Sequence, residues 1–247
     1  MTRRLTLLAL LLLTAAAPHS GYQDASPPIR AMQDDDAANP GFLWVQQGGT
    51  LWSDASVPSG QSCASCHGPA ATMRGVAARY PAFDPARNRP MTLEQRIDDC
   101  RTTRQRAPAW TAESDDLLAI TAFVGEQSRG LSVAIDTSGP AAPFAAHGKS
   151  IFTTRMGQLN LSCAQCHDGL AGQHLASALI PQGQPNGYPL YRLEWQSLGS
   201  LYRRLRNCLT GVRAEPFPPD SPDLIDLEFY LAARANGLPI ETPAVRP

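Results

Sequence analysis

"SCASCHG" (62–68) and "SCAQCHDG" (162–169) decide how this chain folds. Each contains C-x-x-C-H, the spacing at which two thiols bond to the two vinyl edges of one porphyrin while the adjoining histidine sits beneath its iron. Cys63, Cys66 and His67 form the first set, and Cys163, Cys166 and His167 the second. A structural zinc site usually needs a second ligand pair a dozen or two residues away, but these motifs lie a hundred positions apart. A thioredoxin-like pair would sit in a βαβ pattern, which surrounds neither. The reading is two covalently attached haem c groups, with His67 and His167 as proximal iron ligands.

Outward from the motifs, the chain repeats itself. A shift of 100 carries Trp52, Cys63, Cys66 and His67 onto Phe152, Cys163, Cys166 and His167. A shift of 108 carries "TLEQRIDDCRTTRQRAP" (92–108) onto "SLYRRLRNCLTGVRAEP" (200–216), pairing Cys100 with Cys208, Arg96 with Arg204 and Pro108 with Pro216. A shift of 107 carries 114–130 onto 221–237. Internal duplication accounts for this pattern. Each copy reads as helix, haem motif, Pro/Gly-rich loop, cysteine helix and final helix. Thr92 with Gln95 resembles a capping box, and Ser200 is an equivalent N-cap. Leu117, Ile120 and Val124, and likewise Leu224, Leu227 and Leu231, recur at helical spacing for a buried face. Phe123 and Tyr230 extend those faces as core. Strand-like alternation is scarce. The fold class is therefore mainly α, two tandem cytochrome c-like haem domains related by duplication, with "DTSGPAAP" (136–143) as linker.

The opening "MTRRLTLLALLLLTAAAPHSGYQDA" has a positive n-region at Arg3 and Arg4, an apolar run from Leu5 to Leu13 and a small-residue exit at 15–17. That is a secretory signal peptide, too short to span a bilayer. The expected organisation is a signal peptide over 1–25, a first haem domain over 26–138 and a second over 139–247. No later stretch is long and apolar enough to cross a membrane. A periplasmic location fits the attachment of haem c outside the bacterial cytoplasm. The formal net charge of -1 gives no reason to expect nucleic acid as a partner.

One axial position remains open on each iron. Met73, Met91, Met156, His147 and His174 are available, yet none has a counterpart in the other copy. Only Cys100 and Cys208 recur in both. A distal thiolate on each haem, lowering its potential, is one reading; a disulfide joining Cys100 to Cys208 is the other. The copies differ in charge. Residues 93–106 carry four arginines against three acids, whereas 201–213 hold Arg203, Arg204, Arg206 and Arg213 with no acid, a net of +4. Arg204, one helical turn before Cys208, should stand beside that thiol and bind an oxyanion through paired N–H donors. Arg203 and Arg206 fit equally well as part of such an anion site or as partners of haem propionates and a solvated helix face. A small divalent anion with a reactive sulfur, such as thiosulfate, fits the cluster.

"MQDDDAANPGFLWVQQGGTLW" (32–52), both haem motifs, "PQGQPNGYPLYRLEWQSLGSLYRRLRNC" (181–208) and "VRAEPF" (212–217) together resemble the SoxA family, dihaem subunits of the SoxAX complex of bacterial sulfur oxidation. The resemblance covers nearly all of the chain after the leader. It implies an L-cysteine S-thiosulfotransferase that oxidatively joins thiosulfate to a carrier cysteine of SoxY, held in SoxYZ. Two electrons would leave through SoxX, itself a small cytochrome c, to a soluble cytochrome c acceptor. The resemblance makes Cys208 the distal ligand of the second haem and the cysteine persulfide of the active site, Arg204 the substrate-binding arginine, and Cys100 the distal ligand of the first haem. Rival readings are a dihaem electron carrier, a thiosulfate dehydrogenase forming tetrathionate, and a structural subunit whose partner holds the catalytic haem.

Overall fold

The structure is a computed structural model and describes residues 18–247, so residues 1–17 of the expected leader lie outside the described residues. The last part of that stretch is packed on the fold. Ser20 caps α1 (Gly21–Asp24) with a full capping box, and Ala25 behind it is buried. The first half continues with α2 (Pro27–Asp34), α3 (Phe42–Ser53), α4 (Cys63–His67), the strands β1 (Ala82–Asp84) and β2 (Arg89–Met91), α5 (Leu93–Thr103) and α6 (Asp115–Glu126). The second half holds α7 (Ala142–Thr153), α8 (Cys163–His167), β3 (His174–Leu175), β4 (Ala178–Leu179), β5 (Leu190–Arg192), β6 (Ser197–Gly199), α9 (Leu201–Gly211), α10 (Pro222–Arg234) and β7 (Ala244–Arg246).

Hydroxyl caps start most of these helices. Thr92 Oγ1 accepts from the N–H of Gln95 at 3.2 Å, and Gln95 Oε1 accepts from the N–H of Thr92 at 3.1 Å, closing the box at α5. Ser200 does the same half of that work for α9, accepting from Arg203 at 3.3 Å. Ser114 and Ser221 cap α6 and α10, and Asp115, Asp116 and Asp223 sit in first turns, where the helix dipole favours negative charge. The haem-motif helices α4 and α8 have only five residues each, far too few to persist alone. Ser62 with Ser65, and Ser162 with Gln165, close capping boxes around them, each cap contributing about 1 kcal/mol.

In each half, one long helix before the haem motif crosses the final helix. Gly48 of α3 lies against the carbonyl of Ala119 on α6, and a Cβ there would also come within 2.6 Å of Phe123 Cβ. Gly148 of α7 lies against the carbonyl of Asp226 on α10, with Tyr230 Cβ at 2.7 Å from the same imagined atom. The absence of a side chain lets the backbones meet. The six expected core residues on α6 and α10, Leu117, Ile120, Val124, Leu224, Leu227 and Leu231, are all buried. With Trp52 and Leu93 in one half, and Phe152 and Leu205 in the other, they form two clusters, each reaching the first cysteine of its haem motif. Phe123 and Tyr230 pack on these clusters as expected.

The scarcity of strand expected from sequence holds in length but not in kind. β1 pairs with β2 antiparallel, β3 with β4, and β5 lies between β6 and β7 in the order β6-β5-β7. Strands of two or three residues are too short to leave an alternating pattern. The correspondence between halves runs at 108 through β1/β5, β2/β6 and α5/α9. It slips to 107 just past the cysteine helices, where the left-handed residues are Arg106 (φ 56°) and Arg213 (φ 56°). The expected pairing of Pro108 with Pro216 is therefore off by one residue.

The expected linker is shorter than its composition suggested, because a single 3-10 turn (Gly139–Ala141) runs straight into α7. The halves are also stitched by backbone. Val133 N–H donates to Leu238 O and Ile240 N–H to Leu131 O, both at 2.8 Å. The chain then returns to the first half, where Asn39 Nδ2 donates to Pro243 O at 2.8 Å and Val245 N–H to Gln33 Oε1 at 3.0 Å. No helix among the described residues is long and apolar enough to cross a membrane.

Gly148→Ala forces a methyl into the Asp226 carbonyl and should cost about 1–3 kcal/mol of stability, the usual penalty of an overpacked contact. Gly49→Ala, whose methyl meets only the edge of the Phe123 ring at 3.2 Å, should cost under ~1 kcal/mol. Denaturant midpoints of the two variants check the ordering.

Candidate functional site

α4 and α8 each place two cysteines three residues apart, and so on one helical face, with the histidine closing the same short helix. The two histidines are held differently. Nδ1 of His167 lies 2.8 Å from the carbonyl oxygen of Pro181 and donates to it, which leaves Nε2 free to bind a metal. Gly183 in the same loop (φ 72°) lies under the imidazole, and a Cβ there would come within 3.1 Å of its Cγ and Nδ1. Burial holds the His167 pKa below its ordinary value, with the Arg204 and Arg234 guanidiniums pushing the same way against the Pro181 carbonyl. A neutral imidazole is the ligating form. His67 instead lies beside Trp52, ring centroids 5.8 Å apart, while Trp52 Nε1 donates to Gly68 O at 3.1 Å.

The two unpaired cysteines face their own motifs. Burial pushes the Cys63 thiol up, and Cys100 adds to the effect. Burial likewise pushes Cys163 up to about 11, with Cys208 as the next contributor. All six cysteines are free. The disulfide between Cys100 and Cys208 is thereby overturned: each thiol lies near the first motif cysteine of its own half. Met91 is core at 1% exposure, and His147 is engaged by Asp226 at 2.7 Å. Met73 packs in the first-half cluster, whereas His174 lies exposed on β3. The chemistry of the donor set fits haem c. In each half there are two thiols on one face, one imidazole, and a third sulfur close to the first of the thiols.

The surroundings of Cys100 and Cys208 diverge. Arg96, one turn before Cys100, donates from Nη2 to Asp84 Oδ2 at 2.6 Å, from Nη1 to Asp99 Oδ2 at 3.3 Å and from Nε to the Tyr80 hydroxyl at 3.3 Å. Burial pulls the Asp84 carboxyl up, but hydrogen bonds from Ala86, Arg87 and Arg96 carry it below the usual carboxylate range. That cluster neutralises itself.

Around Cys208, two of the four arginines lie on aromatic rings and a third sits in a turn beyond the helix. Arg203 lies 4.5 Å over the Trp195 ring and donates to Ser197 Oγ at 3.0 Å. Arg206 lies 6.0 Å from the Tyr202 ring centroid, and Arg213 forms the left-handed turn after α9. The guanidinium of Arg204 has no carboxylate partner among the described residues.

Sequence reasoning missed two residues of this neighbourhood. The Tyr188 phenol is pushed up to about 12 by burial, against the pull of Arg204 and Arg192. Arg192, at the end of β5, has its pKa lowered by burial and by the Arg204 guanidinium. The signal that could have found both was the 108-residue repeat, which sets Tyr188 opposite Tyr80 and Arg192 opposite Asp84.

Comparison with known proteins agrees with this arrangement. The family model described as SoxA/TsdA, cytochrome c domain, matches residues 47–133 and again 147–240. The L-cysteine S-thiosulfotransferase subunit SoxA of Rhodovulum sulfidophilum is 37% identical, over 92% of this chain and 79% of that protein. The corresponding subunit of Pseudaminobacter salicylatoxidans is 38% identical over 92% of this chain and 80% of its own length. A crystal structure of SoxXA from Paracoccus pantotrophus superposes with a TM-score of 0.90 at 37% identity, covering 93% of this chain and 87% of that one. A cytochrome c domain is one that carries covalently bound haem c, which the donor sets here are built to hold. Likeness of this extent, running through both haem motifs, means that the chain belongs to the SoxA/TsdA cytochrome c family, among its SoxA members.

Proposed function

We propose that this chain is the SoxA subunit of an L-cysteine S-thiosulfotransferase and that its second half is the site of sulfur transfer. With a SoxX cytochrome it conjugates thiosulfate to a cysteine of SoxY, held in SoxYZ, and passes two electrons on to a soluble cytochrome c. The observation that carries this reading is the arrangement on α9: a thiol close to the second haem motif, with a guanidinium one turn away that has no acidic partner among the described residues.

The chemistry is oxidative. Joining thiosulfate to a carrier thiol forms one sulfur–sulfur bond and releases one proton and two electrons. Haem c, when bound, supplies the one-electron acceptor that this step needs. Arg204 holds the sulfonate end of the anion by charge-assisted hydrogen bonds and so presents the sulfane sulfur to Cys208. Cys208, as a persulfide, would provide the sulfur at which the substrate is received, and with Cys163, Cys166 and His167 would hold the second haem. The Pro181 carbonyl keeps the His167 tautomer fixed. Cys100 would hold the first haem together with Cys63, Cys66 and His67.

Several points extend the same reading. Two haems, one per half, follow from the paired donor sets, and duplication explains why glycine crossings, short strands and cysteine helices recur. The positive n-region and apolar run at the start of the sequence, with the chemistry of haem c attachment, support the periplasm. The family model's shared SoxA/TsdA description keeps a tetrathionate-forming dehydrogenase as the second reading, and the reaction product separates the two.

Cys208→Ala should abolish conjugation while both haems stay attached. Intact mass of SoxY after turnover, and of the variant itself, reads both; full activity in this variant would sink the proposal, and tetrathionate formed without SoxYZ would favour the dehydrogenase. Arg204→Ala should raise the KM for thiosulfate about 10- to 100-fold, the loss of charge-assisted hydrogen bonds to one anion. Steady-state kinetics at fixed SoxYZ measures it.

A further inference from the structure

The two halves build the same pocket wall and then charge it oppositely. In the first, β1 ends at Asp84, α5 carries Arg96 twelve residues later, and Cys100 follows one turn on. In the second, β5 ends at Arg192, α9 carries Arg204 twelve residues later, and Cys208 follows one turn on. The strand pairings agree in register, with Asp84 opposite Arg89 on β2 and Arg192 opposite Ser197 on β6. Asp99, which holds Arg96 at 3.3 Å, has Asn207 as its counterpart. Both acids that neutralise Arg96 are thus gone beside Arg204, and one of them is replaced by a second guanidinium.

Arg192 is itself incompletely satisfied. Its side chain is only 14% exposed. Nη2 donates to Glu194 Oε2 at 3.0 Å, but Glu194 is 60% exposed, so solvent screens that pair. Nε is buried with no hydrogen-bond partner. Its guanidinium lies 5.3 Å over the Trp195 ring. Two neighbouring guanidiniums, one lacking an acid and the other a buried donor without an acceptor, repel each other unless an anion lies between them.

We propose that Arg192 is a second substrate-binding residue, forming with Arg204 a two-guanidinium site for the sulfonate end of the thiosulfate dianion. The proposal rests on the reading of Arg204 given above and deepens it. The same comparison explains the asymmetry of the molecule. Asp84 and Asp99 occupy the donors of Arg96, so the first half binds no dianion although it keeps the arginine and the thiol.

The test copies the first half into the second. Arg192→Asp gives Arg204 the acid that Arg96 already has, and Arg192→Gln removes the charge with less change of shape. Both are prepared as haem-loaded protein with its SoxX partner, and haem content is verified by intact mass. Thiosulfate binding is read by calorimetry without SoxYZ, and KM, kcat and competitive inhibition by sulfate are read with it. Both variants should weaken thiosulfate binding and sulfate inhibition at least tenfold, and raise KM in parallel with kcat changed less than about threefold. Arg192→Lys should recover part of the loss. Unchanged binding in Arg192→Gln, with thiosulfate affinity still lost in Arg204→Ala, overturns the proposal and leaves the function standing. So does a shifted haem spectrum with thiosulfate affinity intact, because Arg192 would then serve a carboxylate of the cofactor. Wild-type protein that binds thiosulfate through both arginines but never conjugates it sinks the functional reading alone.

Discussion

Two helix crossings without side chains set the geometry on which everything else in this molecule depends. Gly48 lets α3 rest on the backbone of α6, and Gly148 does the same for α7 on α10. Because α3 and α7 precede the haem motifs, their contact with the final helices fixes where each short motif helix sits. The serine caps then hold α4 and α8 in helical form despite their five residues. Cys63 and Cys163 consequently become parts of the clusters built on α6 and α10, not exposed surface thiols. Burying each core leucine or isoleucine there contributes roughly 1.5–3 kcal/mol. These clusters are the wall against which a bound haem c would pack.

On that common frame the halves diverge through very few side chains. The first half surrounds its lone cysteine with a closed ion-pair network, Arg96 to Asp84 and Asp99, tied to Tyr80. The second keeps the tyrosine, the arginine and the thiol, and loses both acids. A like-charged pair of guanidiniums near a buried phenol is unfavourable by itself. Such frustration is tolerated where a guest supplies the missing charge, as expected of functional sites that depart from local consistency. The two halves thus differ in charge around a like-placed thiol: ion-paired arginine in one, guanidiniums beside each other in the other.

The halves are also less separate than their sequence repeat suggests. The segment after α10 runs back over the first half, pairing with residues 130–133 and then meeting Gln33 and Asn39. Buried carboxyls add to the seam. Glu228 is raised well above its ordinary pKa by burial, with Glu94 and Glu113 close enough to push further. The Ser200 hydroxyl, which caps α9, donates to Glu113 of the first half. The start of α9, and with it Arg204 and Cys208, is therefore positioned partly by the other half.

The sequence by itself determined the elements whose information is local. The C-x-x-C-H spacing, the capping residues, the apolar faces of α6 and α10 and the four-residue step from Arg204 to Cys208 are written within one helix or one turn. Physical chemistry at that scale fixes their meaning. What only the tertiary structure decided is which distant groups share a space. Strands of two or three residues carry no periodic signal; the repeat sets Arg192 and Arg204 opposite Asp84 and Arg96, but only the fold, which brings β5 to α9, shows that the two guanidiniums are neighbours. The fate of the other arginines was equally hidden, because Arg203 turns to Trp195 and Arg206 to Tyr202 only once the loop before α9 has folded. Charge along a chain counts arginines; charge in a pocket depends on which acids stand opposite them, and that is settled by packing.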